Sequence, residues 1–307
     1  MESMDQKGKL PCRCVDNAGS IRGRSSSARI SPHAKGKLRN VEVLFFDVFG
    51  TVVDYVETVT KALHREIRSA QIADTNLLQA LQEDYDWQHF TIKWREEYKS
   101  ETQRLSGIGN PEKITVDQMH LTALNRLIAS LPVPTDATSP SIGSYSIDVA
   151  SEALEHAWTQ EARDRLNFTW HLLEPWPDSV AGMETLKTCF KIGTLTNGNL
   201  NLMVDMAKNG KLQWDFLLTA DLLGSFKPDS EMYKKSVRLF NIQPDVDGHR
   251  ACMVAAHLYD LQAAKACGMT IVFVSSRPTE DTLPQDGKPD YVDVFVADLS
   301  GLAQLIQ

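Results

Sequence analysis

The sequence predicts an α/β protein: a doubly wound parallel sheet with a helical cap inserted after its first strand. Three observations carry this prediction. From residue 176 onward, short β-branched apolar runs alternate with helical patterns at the spacing of βαβ units. One further run of the same kind, VEVLFF at 41–46, stands more than a hundred residues ahead of the others. The stretch between them carries apolar and aromatic side chains at helical rather than strand spacing.

In chain order, the strands are expected at 41–46, 190–195 (FKIGTL), 216–219 (FLLT), 251–255 (ACMVA), 270–274 (TIVFV) and 292–296 (VDVFV). The inserted segment places Leu77, Leu81, Tyr85, Phe90, Trp94, Tyr98 and Leu105 at helical spacing over 77–105. Residues 116–131 repeat the pattern, and 147–166 predict a third helix through Leu154, Trp158 and Leu166. The Pro/Ser/Thr-rich stretch 132–146 reads as a loop between helices. The resulting division is a disordered basic extension over 1–40, a core from 41–57 and 176–307, and a helical cap over 58–175.

Bulk composition narrows the function classes. The chain has 307 residues, 42% hydrophobic and 23% charged, as expected of a soluble globular protein. Its net charge of −8 is uneven: residues 1–40 hold nine Lys/Arg against three Asp/Glu, which leaves the rest at about −14. An acidic folded body argues against a nucleic-acid groove. No apolar stretch is long enough to span a bilayer, and no signal-peptide segment is visible, so a cytoplasmic location is expected. The five cysteines are scattered, match no zinc spacing and read as free thiols.

Four segments put polar residues at or just beyond strand ends. They are Asp47; Thr196 with Asn197; Lys227, followed six residues later by Tyr233; and Asp260. Parallel strands bring all four to one sheet edge, where such folds bind ligands. A carboxylate at the end of a buried strand, followed by a glycine-containing turn, presents a nucleophile. Phe49, two residues after Asp47, denies the site a second acid there. Each residue also has a plainer reading. Asp47, Thr196 and Asp260 are reasonable caps, Lys227 a surface lysine and Tyr233 a core residue. Arg95 neighbours Glu96 and Glu97 and reads equally as part of a solvated helix face.

The ordered set Asp47, Thr196, Lys227 and Asp260 over this layout resembles the haloacid dehalogenase superfamily, across about residues 41–307. Within it, FDVFGT at 46–51, the Trp94-Arg95 pair in the insertion and FKPDSEMY at 226–233 look like the (S)-2-haloacid dehalogenases. The resemblance implies that Asp47 displaces halide from the α-carbon of a short 2-haloalkanoic acid, giving an ester that water hydrolyses. It implies that Lys227 keeps Asp47 ionised and that Thr196 and Asn197 donate to Asp47 or to the substrate carboxylate. It further implies that Arg95 or Tyr233 receives the halide, Asp260 orients Lys227 or helps activate water, and Phe49 lines the cavity. No metal or cofactor is expected. As partners the sequence points to a small 2-haloacid, to no nucleic acid and to no membrane, and it allows a homodimer.

Two positions depart from that pattern. Ala255 stands where those dehalogenases have serine, and His257 where they have asparagine. His257 can replace the lost donor, act as a base, or be a structural histidine. A Mg²⁺-dependent phosphatase and a catalytically quiet binding protein are the competing readings. Phe49 counts against the first, because a phosphatase needs a general acid at that position.

Overall fold

The computed structural model describes residues 32–108, 114–133, 141–284 and 287–307. Ten strands are present among them: β1 Val43–Phe46, β2 Val53–Asp54, β3 Ser141–Ile142, β4 Tyr145–Ser146, β5 Glu174–Pro175, β6 Lys191–Thr196, β7 Phe216–Thr219, β8 Ala251–Ala255, β9 Thr270–Val274 and β10 Val294–Val296. Six of these form one sheet in the order β10-β9-β8-β1-β6-β7, and every pairing is parallel. Each coincides with a predicted strand to within two residues. β1, β8 and β9 are buried at every position, as expected of strands covered on both faces by helices.

The chain runs from β1 to β6 and β7 on one side, then crosses to β8, β9 and β10 on the other. The direction therefore reverses between β1 and β8, a topological switch point. Phe46 is in register with both Thr194 and Val254. Asp47, the next residue, thus lies at the carboxyl edge of the sheet, held by its own N–H donating to Val254 O.

Between β2 and β5 the chain forms the cap: helices Tyr55–Ser69, Thr75–Glu83, Trp87–Ile108, Val116–Ala129, Ile147–Ala157 and Gln160–Phe168, with a 3-10 turn at Thr169–Leu172. The antiparallel β2–β5 ribbon joins cap to core, so cap helix begins at Tyr55 rather than at the expected residue 58. The helical pattern over 77–105 breaks at 84–86. The one helix expected over 147–166 is two, because the Thr159 side chain caps a new start. Helix Tyr55–Ser69 was not foreseen; its start is capped by Asp54. Of the expected loop 132–146, residues 134–140 lie outside the described residues, while 141–146 form the β3–β4 ribbon.

The expectation of disorder through residue 40 is corrected at its end. Pro32–Leu38 is a helix, Leu38 is buried, and Lys37 pairs with Asp293 at 3.1 Å. Residues 1–31 lie outside the described residues. Cys252 and Cys267 are buried free thiols. Cys189 is disulfide-bonded, against the expectation that all cysteines are free. No helix among the described residues is long and apolar enough to cross a membrane.

Candidate active site

Asp47 sits at the centre of a buried charge network. Its Oδ1 accepts from Lys227 Nζ at 2.7 Å. Its Oδ2 accepts from Thr51 Oγ1 at 2.9 Å and lies 2.8 Å from His257 Nδ1. Lys227 Nζ also donates to Asp260 Oδ2 at 2.5 Å, and Tyr233 OH donates to Asp260 Oδ1 at 2.6 Å. The far nitrogen of His257, Nε2, lies 2.5 Å from Glu280 Oε2. None of these side chains is more than a few per cent exposed, so each ion depends on its partners for solvation.

The network sets the protonation states. Burial alone would raise the Asp47 carboxyl, but the charges of Lys227 and His257 outweigh it and hold the group well below the usual carboxylate range. Burial lowers the His257 imidazole, yet Asp47 and Glu280 carry it up to about 9, so at neutral pH it is an imidazolium donating from both nitrogens. Lys227 is likewise raised against its burial by Asp260 and Asp47. Asp260, which shares Lys227 and faces Asp47, is raised by burial, so Asp47 is the more acidic of the two.

Local sequence explains the placement. Gly50 adopts φ +79°, a left-handed turn that returns the chain so that Thr51 can reach back to Asp47. Thr51 Oγ1 also accepts from Ala256 N at 2.9 Å, tying the β1 turn to the segment after β8. Asn197 clamps the lysine loop with two bonds to the Lys227 backbone, N–H to Oδ1 at 2.6 Å and Nδ2 to O at 3.2 Å.

Over Asp47 lies a small cavity lined by Phe49, Arg95, Tyr98, Thr196, Lys227 and Tyr259, among others. A water centre can reach only about 10 Å³ of it, room for about one water. The cap is thus closed over the site. Arg95 enters from helix Trp87–Ile108 and lies over the Phe49 and Tyr98 rings, 4.8 and 4.7 Å from their centroids. Its Nη1 is buried with no hydrogen-bond partner. A larger cleft of about 390 Å³ runs alongside, between 114–116 and 220–226, and shares Asn197 with the cavity. It lacks the ionic cluster, so the smaller cavity is the candidate site.

Most of the residues singled out from the sequence meet here: Asp47, Phe49, Arg95, Thr196, Asn197, Lys227, His257 and Asp260 lie in one cluster. Two contacts differ from expectation. The hydroxyl on Asp47 comes from Thr51, whereas Thr196 Oγ1 accepts from Gly198 N at 3.1 Å. Tyr233 does not line the cavity: it is fully buried beneath it, and its hydroxyl is committed to Asp260. Tyr259 occupies the cavity wall instead. Sequence reasoning missed Thr51, Tyr259 and Glu280. Thr51 was visible in the FGT turn, but Glu280 sits in a loop with no pattern around it.

These residues do not fit a divalent cation. Asp47 Oδ1 faces an ammonium and Oδ2 an imidazolium, and Phe49 offers no oxygen. Among the described residues, no group of three or more His, Cys, Asp or Glu side chains is arranged to hold a metal.

A second cluster fastens cap to core. His171 bridges Asp117 of the cap at 3.1 Å and Asp205 of helix Leu200–Asn209 at 2.8 Å. Burial lowers the imidazole, but the two carboxylates outweigh it and its pKa is raised. A raised histidine contributes stability that is present below the unfolded value near ~6.5 and lost as pH rises through the folded value. His171→Leu should therefore cost about 1 kcal/mol at pH 6, since Asp205 is partly exposed, and less at pH 9. Urea unfolding at both pH values checks this; equal losses would mean that His171 is neutral.

Comparison with known proteins places the chain in a family. The model of the haloacid dehalogenase-like hydrolases matches residues 41–268. The chain is 25% identical over 140 residues to (S)-2-haloacid dehalogenase 1 of Pseudomonas sp. (strain CBS-3), covering 44% of this chain and 60% of that protein. It is 28% identical over 128 residues to haloacid dehalogenase-like hydrolase domain-containing protein 3 of Mus musculus, covering 40% and 47%. The chain thus spans about half to three-fifths of the length of these curated relatives. Crystal structures of an L-2-haloacid dehalogenase and of a defluorinating L-2-haloacid dehalogenase superpose with TM-scores of 0.64 and 0.66. Their identities are 30% and 28%, with 87% and 89% of this chain and 100% and 98% of theirs covered. Matched over residues 41–268, and with the parallel sheet and inserted cap of its structural relatives, the chain belongs to the haloacid dehalogenase-like hydrolases.

Proposed function

We propose that this hydrolase removes halide from short 2-haloalkanoic acids through an ester on Asp47, without a metal. The observation that carries the reading is a buried, ionised Asp47 held by Lys227, under a closed cavity whose position 49 is phenylalanine. Displacement at carbon needs an anionic nucleophile and a receiver for the departing anion; it needs no general acid for an alkoxide.

Oδ1, with one donor, is the freer oxygen of Asp47; Oδ2 already faces two. Oδ1 attacks the α-carbon in line, the carbon–halogen bond breaks with its electron pair on the halide, and the centre inverts. Arg95, with Nη1 unpartnered, receives the anion in a setting that excludes water. Phe49, Tyr98 and Tyr259 restrict the alkyl group, so short acids are expected. Substrate entry requires the cap to open.

The test is halide release from 2-chloropropionate beside phosphate release from a phosphomonoester, each with EDTA and with Mg²⁺. Halide release that resists EDTA is the expected result. Phosphate release that depends on Mg²⁺ would replace this reading with a phosphatase, and no turnover of either would leave a binding protein.

A further inference from the structure

We propose that His257 and Glu280 form a charged hydrogen-bond donor that stabilises the oxyanion formed when water attacks the Asp47 ester, His257 as a catalytic residue and Glu280 as its positioning residue. The proposal rests on the ester chemistry above and extends it to the second half of the reaction.

The geometry points to this role. If Oδ1 carries the substrate, Oδ2 becomes the ester carbonyl oxygen. Two donors already aim at Oδ2, Thr51 Oγ1 at 2.9 Å and His257 Nδ1 at 2.8 Å. Both come from positions tied to the core: Thr51 through Ala256 N, and His257 through Glu280 at 2.5 Å. Donors fixed before charge develops stabilise an oxyanion without reorganising, which makes such a pair effective in a water-poor cavity.

Glu280 is held in place by its surroundings. Its side chain is buried, and Thr279 Oγ1 bonds its Oε1 at 3.2 Å. The loop is pinned by Arg277, which donates to Thr51 O at 2.9 Å and to both Asp178 oxygens at 2.8 Å. The neighbouring Asp281 Oδ2 accepts from Leu258 N at 2.7 Å, fixing the backbone after His257. Gly50 completes the arrangement, because a Cβ there would overlap the Glu280 carboxyl. The turn that presents the nucleophile thus leaves room for the acid that charges His257. The groups facing His257 are Asp47, Glu280 and, at 5.7 Å between rings, Tyr259. Once Asp47 is esterified, Glu280 is the anion that remains in contact with the imidazolium.

In the step itself, water oxygen bonds to Asp47 Cγ and the carbonyl π pair moves onto Oδ2, where His257 and Thr51 donate. Collapse re-forms the carbonyl and breaks the Cγ–Oδ1 bond, so Oδ1 leaves as the hydroxyl oxygen of the 2-hydroxy acid. Of the two water protons, one ends on that hydroxyl and the other passes to solvent as Asp47 returns to carboxylate. His257 keeps its protons throughout.

The experiment follows one turnover of 2-chloropropionate by rapid quench, measuring halide and the intact mass of the protein, in the native chain and in Glu280→Gln, His257→Leu and His257→Asn. In Glu280→Gln and His257→Leu, steady-state turnover is expected to fall about 10²–10³-fold. The first equivalent of halide should appear within a few-fold of the native rate, and ester should accumulate on the protein. His257→Asn keeps a side-chain N–H and should turn over at least about tenfold faster than His257→Leu. Halide burst and turnover slowing together would overturn the proposal, as would native kinetics in Glu280→Gln. His257→Asn no better than His257→Leu would also overturn it, since a donor would then not be what is missing. Thermal unfolding confirms folding of each variant, and Glu280→Gln decides the matter if His257→Leu fails to fold. Absence of halide from the native chain overturns the dehalogenase reading together with this one; the other adverse outcomes overturn only this one.

Discussion

Asp47→Asn is expected to abolish halide release, by at least about 10⁴-fold, while leaving the protein folded but less stable. The activity loss follows from removing the carboxylate charge that makes the attacking oxygen nucleophilic. The amide keeps the shape and still accepts from Lys227, but its oxygen is a poor nucleophile for carbon. The stability argument is electrostatic. Three buried carboxylates, Asp47, Asp260 and Glu280, face two cations, Lys227 and His257. The amide takes a counter-ion from Lys227 and His257 and turns its NH2 toward the Thr51 and His257 donors, so a loss of about 1–3 kcal/mol is expected. Denaturant unfolding beside the halide assay separates the two effects. Halide release surviving in Asp47→Asn would remove Asp47 from the chemistry, and unchanged stability would show that the cluster does not depend on its charge.

Lys227→Met carries the largest expected structural cost. The ammonium is almost fully buried and is shared between Asp47 and Asp260. Without it, Asp260 is left with only the Tyr233 hydroxyl and Asp47 with His257 and Thr51. Breaking a buried pair from one side costs about 3–5 kcal/mol, because the stranded charge stays unsolvated. The cost should depend on pH with a definite sign. In the native chain Asp47 has a lowered pKa, so its contribution stands above the unfolded carboxylate value near ~3.9 and is lost as pH falls through the folded one. In the variant the stranded carboxyls have raised folded values, so the deficit is full at neutral pH and shrinks as pH falls. Unfolding free energies at pH 7.5 and pH 5 test this. A deficit that grows toward pH 5 would contradict the placement of Lys227 between the two acids. Turnover should fall with stability, since a raised Asp47 is protonated more often and less nucleophilic.

Much of this site was legible in the chain. Apolar runs ending in Asp47, Thr196 and near Asp260 marked strand ends, because a fully buried parallel strand reads as an unbroken hydrophobic run up to the sheet edge. Lys227 stood out through the Lys-Pro-Asp segment, and Arg95 through its place beside Trp94 in the aromatic stripe of the cap. Helix breaks were harder to see. Trp158 and Leu166 satisfy one helical period, yet the Thr159 side chain starts a second helix between them. Helix Tyr55–Ser69 was missed because its apolar positions continue directly from the β1 turn.

What the sequence determined by itself was the set of groups brought to the sheet edge: a carboxylate at a strand end, a lysine, and phenylalanine where a second acid would stand. These are properties of residue type and local spacing, which the linear chain displays. Only the tertiary structure decided who touches whom. It gave Asp47 its hydroxyl from Thr51 rather than Thr196, sent Tyr233 beneath the cavity to Asp260, and paired His257 with Glu280, from a loop 23 residues further along the chain. Hydrogen bonds act over about 3 Å and depend on angle. Contacts between segments far apart in sequence are therefore set by sheet order, by the turn at Gly50 and by closure of the cap, none of which local spacing encodes.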